Sequence, residues 1–214
     1  MGDEAGPGGK QSLLLNENHA WNFPPGAWPY GYAKYQAELE VQSAVAGGLD
    51  VVIVNPAVVI GAGDIHQVSG NLILQIARGR LPVTIEGGLN VVHVQDVVAG
   101  HLAACERGKT GERYILGGEN LPHTEFLHRI AQIAGARPPW ISLPGRLVRA
   151  LAGPVRLADR FLRLPVSGQA VRRAGYYFYF DNQKARRELG LPKPLPVDRA
   201  ITEALQWYRD QCIL

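Results

Sequence analysis

The sequence predicts an α/β layered fold, on three observations. Segments of helical texture alternate with short β-forming runs, one run (Val51-Val52-Ile53-Val54) is continuously apolar, and several helical segments stop at glycine. An uninterrupted apolar run suits a parallel strand covered on both faces, since a strand with one wet face alternates instead. Alternating helices and strands bury their apolar sides most simply as helices layered on a sheet.

Taken in order, residues 1–29 are dense in Gly and Pro (Gly6-Pro7-Gly8-Gly9, Pro24-Pro25-Gly26, Pro29) and read as loop. Tyr30 to Ala46 has no proline, is rich in Ala, Glu and Gln, and meets Gly47-Gly48, which predicts a helix and its stop. The apolar strand follows and ends at Asn55-Pro56. After the loop Gly61-Ala62-Gly63-Asp64, a helix is expected over Ser69 to Arg80, with short strands near Val83–Ile85 and Val91–Val94. Asp96 is the expected N-cap of a helix that runs to Arg107 and stops at Gly108. Tyr114 to Gly118 reads as another buried strand and Thr124 to Ala134 as another helix. Beyond Pro138 the texture changes. Residues 141–175 are Arg-rich and broken by Pro144, Pro154 and Pro165, which suggests short helices of a separate lobe. Tyr176 to Phe180 is an aromatic, strand-like run, and an amphipathic helix is expected from Asp198 to Asp210.

Composition narrows the function classes. Apolar residues make up 46% and charged residues 19%, which is globular usage. A net charge of +3 is too mild to imply nucleic acid, and the Arg-rich stretch reads as a solvated basic face. Two cysteines, Cys105 and Cys212, exclude a disulfide scaffold and a four-cysteine zinc site. His123 and His128 lack a zinc-ligand pattern, so no metal is expected. No apolar run approaches eighteen residues and no charged-then-apolar leader opens the chain, so the expected setting is cytoplasmic, without membrane insertion.

One pair of residues carries chemistry. In Tyr30-Gly31-Tyr32-Ala33-Lys34, positions 30 and 34 share a helix face, so a phenol and an ammonium approach each other. A free phenol titrates near ~10, so it works as a base near neutrality only beside a cation that favours the phenolate. Such a group takes a proton from an alcohol as hydride leaves, or returns one as hydride arrives. The spacing alone also fits an amphipathic helix start with an exposed lysine.

Its context is more specific. Pro29 to Glu38, the strand ending Asn55-Pro56, Gly61-Ala62-Gly63-Asp64, Val92-His93-Val94-Gln95-Asp96, Gly111 to Asn120, Asp181 to Gly190 and Trp207-Tyr208-Arg209 occur in an order that resembles the extended short-chain dehydrogenase/reductase family. This group comprises NAD(P)-dependent sugar epimerases, dehydratases and dihydroflavonol-reductase-like enzymes. The resemblance implies the C-terminal part of a Rossmann-type doubly wound sheet with a small mixed α/β substrate lobe. Residues 1–29 would be loop, 30–135 the remainder of the Rossmann-type domain with interleaved substrate-lobe segments, and 136–214 mostly substrate lobe and C-terminal helix. It further implies Tyr30 as acid/base with Lys34 as its partner and a contact to the nicotinamide ribose. Pro56, Ala57 and Val58 would border the nicotinamide of NAD or NADP, where ligands of open α/β sheets bind. Asn55, Asn71 and Leu72 match positions that touch substrate in sugar epimerases, and the helix Tyr30–Ala46 would pair two copies into a homodimer.

Two departures shape the reading. Gly87-Gly88-Leu89-Asn90-Val91 holds no arginine where nucleotide-sugar epimerases bind diphosphate, which favours the dihydroflavonol-reductase-like or hopanoid-associated epimerase-like branch. No glycine-rich turn of the kind that cradles a pyrophosphate occurs before Tyr30, and Gly61-Ala62-Gly63 is not one. The expectation is therefore a chain lacking the cofactor half and inactive alone. The alternative is a non-catalytic remnant or interaction module. The substrate is expected to be a small molecule: a sugar, a nucleotide sugar or another carbonyl compound.

Overall fold

In a computed structural model of the chain, residues 14–150 and 174–214 are described. The first helix, α1 (Pro29–Ala46), opens on a proline. Its fixed φ and missing N–H suit a first helical turn. The helix ends at Gly47, whose N–H donates to the Ser43 carbonyl. The apolar run then forms β1 (Ile53–Pro56) and β2 (Val58–Ile60), with the strand starting two residues later than expected and extending further. β1 pairs in parallel with β5 (Arg113–Leu116), placing Asn55 opposite Ile115 and Pro56 opposite Leu116. Ala57 still donates to the Leu116 carbonyl at 3.1 Å, after which β2 pairs in parallel with β4 (Gly88–His93). One extended run thus serves two sheets.

β4 is the centre of the larger sheet. Its one edge takes β6 (Glu119–Pro122) antiparallel, and its other edge takes β2 at Val91–His93 and β8 (Tyr177–Phe178) at Gly88–Leu89. A separate parallel pair joins β3 (Val83–Ile85) to β7 (Ile141–Leu143). α2 (Asn71–Ala77), α4 (His123–Ala134) and α7 (Val197–Asp210) pack together over the β4 sheet. Their core holds Ile73, Leu74, Phe126, Ile130, Ile201, Leu205 and Tyr208, all at most 1% exposed. A second core lies under α3 (Val94–Arg107), where Val97, Ala103 and Ala104 meet Val92, Tyr114 and Leu116, and α6 (Gln183–Glu188) adds Ala185. The short helix α5 (Gly145–Ala150) agrees with the broken texture beyond Pro138, whereas β6 and β7 were not expected. Arg156, Arg160, Arg163, Arg172 and Arg173 of the basic stretch lie outside the described residues.

Asp96 is not the N-cap of α3. The helix begins two residues earlier, and the cap is His93, whose Nδ1 accepts from the Gln95 N–H at 3.0 Å. That contact assigns the proton to Nε2, which lies 3.0 Å from Glu203 Oε2 on α7. Asp96 instead accepts from the Leu195 N–H at 2.8 Å and ties α3 to the approach to α7. Asp64 has a comparable role before α2. Its carboxylate accepts from the N–H groups of Val68, Ser69 and Gly70, and Tyr208 Oη lies 3.4 Å from Oδ2. Burial and the nearby Asp64 charge push the Tyr208 phenol up to about 12. Gly70 leaves room for that hydroxyl, since a Cβ there would stand 1.6 Å from it.

Candidate active site

The functional side chains are set by α1 and the carboxyl end of β1. Tyr30 and Lys34 lie one turn apart at the start of α1. Tyr30 is 62% exposed, and the Lys34 ammonium stands 5.8 Å from the centre of its ring. One turn further on, Glu38 shares their face, because every fourth residue of a helix returns to the same side. Glu38 Oε2 accepts from Asn55 Nδ2 at 3.4 Å, so this face meets the residue that precedes Pro56 on β1.

Beneath this contact lies Arg113 of β5. Its Nη1 donates to Glu38 Oε1 at 2.7 Å, its Nε to the Glu17 carbonyl at 2.7 Å and its Nη2 to the carbonyls of Glu17 and His19. The Glu17 carboxylate accepts from the Ile115 N–H at 2.9 Å. The segment 14–19, expected as loop, is thereby bound to β5. Leu15 also exchanges backbone bonds with Tyr179 and Asp181.

An aromatic cluster continues the wall towards the start of α1. Trp21 stacks on Trp28 and Tyr35, Phe23 meets Tyr176 edge-on, and Trp28 meets Phe178 edge-on. Gly31 is required there, since a Cβ would stand 2.4 Å from the Trp28 ring.

Not every expected site residue belongs to this group. Pro56 is exposed at the end of β1, and Val58 is partly exposed on β2. Ala57 packs its methyl into the core under α3 while its N–H completes the pairing with β5. Asn71 opens α2 and accepts from Gln75 within the helix, and Leu72 packs on the core of α2, α4 and α7. Those contacts lie within that layer and not with Tyr30 or Lys34.

Sequence reasoning missed Arg113, Glu38 and Glu17, because their partners are between 17 and 98 positions away, and it missed Trp21, whose partners are nearby rings. The density of aromatics in Trp21, Phe23, Trp28, Tyr32 and Tyr35 was the one visible signal. Among the described residues, Asn55 Oδ1, His19 Nε2 and Trp21 Nε1 are buried without a hydrogen-bond partner. No group of three metal-ligating side chains occurs among the described residues, and no described helix is long and apolar enough to cross a membrane.

Comparison with known proteins agrees with this architecture. Residues 5–117 match the model of the NAD dependent epimerase/dehydratase family. A putative dihydroflavonol 4-reductase of Synechocystis is 36% identical over 85% of this chain and 54% of its own length. Sterol demethylase protein B of Methylococcus capsulatus is 33% identical over 91% of this chain and 61% of its own. A crystal structure of a nucleoside-diphosphate-sugar epimerase from Pseudomonas aeruginosa superposes with a TM-score of 0.82 at 30% identity, covering 98% of this chain and 65% of that one. The fold is the α/β Rossmann-like fold of such enzymes, and the chain spans between 54% and 61% of the length of these two curated relatives.

Proposed function

This chain belongs to the NAD dependent epimerase/dehydratase family, and from that premise we propose that it handles the proton in an NAD(P)-dependent reduction or epimerisation at a carbonyl/alcohol carbon. The observation that carries the reading is the shared face of Tyr30, Lys34 and Glu38, with Glu38 bonded to Asn55 just before the exposed Pro56. A helix rises ~1.5 Å per residue, so Tyr30 stands about 12 Å along α1 from Glu38, and Lys34 lies midway. The nicotinamide cofactor supplies or accepts hydride when bound. Tyr30 donates its hydroxyl proton to a carbonyl oxygen in reduction, and its oxygen takes a proton from an alcohol in the reverse direction. The Lys34 cation favours negative charge on that oxygen, and Pro56 and Val58 offer an exposed apolar border at the strand end.

The residues present fit the nicotinamide and ribose end of the cofactor. For the pyrophosphate, the sequence before Tyr30 contains no Gly-x-Gly-x-x-Gly or Gly-x-x-Gly-x-x-Gly turn. We therefore take turnover to require a strand–glycine turn–helix segment, and the chain alone to bind NAD(P)H poorly. The preferred substrate is a small carbonyl compound without a diphosphate, since Gly87–Val91 offers no cation. The exposed side of α1 is the surface on which a second copy would pair.

A second reading, an interaction module without cofactor binding, is favoured by the exposed apolar side chains Leu39, Val98 and Leu102 on α1 and α3. Calorimetric titration with NADH and NADPH separates the two. The expected result is no micromolar binding by the 214-residue chain and restored binding once a glycine-rich segment is supplied. In that active form Tyr30→Phe is expected to lower kcat by about 10²–10⁴-fold. Unchanged turnover would remove Tyr30 from its role.

A further inference from the structure

We propose that Arg113 and Glu38 are positioning residues that lock the α1 face carrying Tyr30 and Lys34 onto the carboxyl end of β1; this rests on the proposed role of Tyr30. Four N–H···O contacts leave Arg113: two to the Glu17 carbonyl, one to that of His19 and one to Glu38. A guanidinium has five donors in a rigid planar fork, so this set fixes two chain segments, 14–19 and α1, relative to β5 at once. Lysine, a point charge on a flexible stem, cannot reproduce it.

Glu38 is 17% exposed and divides its two oxygens between partners, Oε1 to Arg113 and Oε2 to Asn55 Nδ2. The Glu38 carboxylate accepts from Arg113 with one oxygen and presents the other to Asn55, which turns its NH₂ towards α1. The opposite end of that amide, Oδ1, is left buried without a partner among the described residues. An unpaired buried acceptor is costly, so the amide holds this orientation because the carboxylate accepts from its NH₂. A flipped amide would set two acceptors against each other.

Other contacts do not hold α1 in the same way. Gly31 is its one buried residue, and among the described residues its other long-range side-chain hydrogen bond runs from Gln42 Nε2 to the Gly111 carbonyl at 3.1 Å, a turn beyond Glu38. With Glu38 released, the start of α1 keeps the ring contacts of Tyr32 and Tyr35 with Trp21 but loses its tie to β1. The distance from Tyr30 to the strand end would then drift. Misplacement of a reacting group by about 1 Å costs on the order of 10²-fold in rate.

Two readouts test this, and the first needs no activity. In nitrogen–proton spectra of the 214-residue chain, Glu38→Ala is expected to shift both the Asn55 side-chain NH₂ pair and the Arg113 Nε–H and to speed their exchange with water. Glu38→Gln, which keeps an acceptor without the charge, should give an intermediate change, and Arg113→Lys should shift the Asn55 pair without touching it. Asn55 signals that stay in place in Glu38→Ala would overturn the positioning contact whatever the protein catalyses. The second readout uses the active form from the Tyr30 test. Glu38→Ala is expected to lower kcat by about 10–100-fold while KM for the carbonyl substrate stays within about twofold. Glu38→Gln should fall between. A rise in KM at constant kcat would overturn the positioning role. If Tyr30→Phe left turnover unchanged while the spectra moved as described, the catalytic reading alone would fail.

Discussion

The closed layer of α2, α4 and α7 and the two helices on opposite faces of the β1–β5 pair, α1 on the side of Asn55 and Arg113 and α3 on the side of Tyr114 and Leu116, are finished differently. In the first, Ile73, Leu74, Ile130, Ile201, Leu205 and Tyr208 close on one another, and no large apolar side chain of these three helices is exposed. In the second, α3 packs Val97, Ala103 and Ala104 inward yet leaves Val98 and Leu102 more than half exposed, and α1 buries only Gly31. Apolar contact holds the first layer, whereas α1 is held by the charged contacts of Arg113 and by aromatic stacking. The lesson is that the proposed site sits on a less sealed helix. Its geometry depends on a few directional bonds rather than on a packed core, so single polar substitutions there act on alignment, and apolar truncations opposite act on stability.

That contrast can be broken by measurement. The largest stability effect is expected from Leu205→Ala, which removes a 1%-exposed side chain from the closed layer and should cost about 2–5 kcal/mol in urea denaturation. A cost below about 1 kcal/mol would mean that the layer is not the stabilising core.

Next comes Tyr208. Its phenol is raised to about 12 in the folded chain against an unfolded value of ~10, so the native state holds the proton more tightly. The stability this provides is complete below about pH 10 and is lost as pH rises from about 10 to 12. The loss amounts to about 2–3 kcal/mol, taken as two pH units at ~1.4 kcal/mol each. Denaturation series for the wild type and Tyr208→Phe over that window should diverge by that amount. Parallel curves would show that neither burial nor the Asp64 charge raises the phenol.

The smallest effect is expected from Leu39→Ser on α1. This side chain is 45% exposed, and its loss should change monomer stability by no more than about 0.5 kcal/mol. A larger change at low protein concentration would show that α1 is packed after all and would erase its difference from the closed layer.

What was legible in the sequence follows the same division. Periodicity and glycine stops located α1, α3, α4 and α7, since those signals are local. The apolar run announced a strand ending at Asn55-Pro56 but not its continuation through Ala57 to Ile60, because the continuation depends on β4 as partner. β6 has the composition Glu-Asn-Leu-Pro, which no β-propensity would select. It is a strand because β4 runs beside it and because the Asn120 amide exchanges bonds with both the N–H and the carbonyl of Phe180, as a backbone would. Asp96 had the right residue type for a cap, yet His93 holds that position because β4 delivers its ring to the Gln95 N–H. Within the site, the Tyr30/Lys34 pair was readable because a helix brings positions i and i+4 together. The contact of Arg113 with Glu38 spans 75 positions and became visible only in the folded chain.

The extended run from Ile53 to Ile60 bears on how such a gene can change length. Its first half is registered on β5 and its second half on β4, with a single alanine between them. Side chains of a strand alternate in direction, so adding or deleting one codon near Ala57 would turn Val58, Val59 and Ile60 inside out against β4. A shift placed earlier would do the same to Asn55 against β5. Neither sheet can absorb an insertion by sliding, because the other fixes the opposite end. This segment is a ruler shared by two structures, and length variation in descendants of this sequence should accumulate elsewhere.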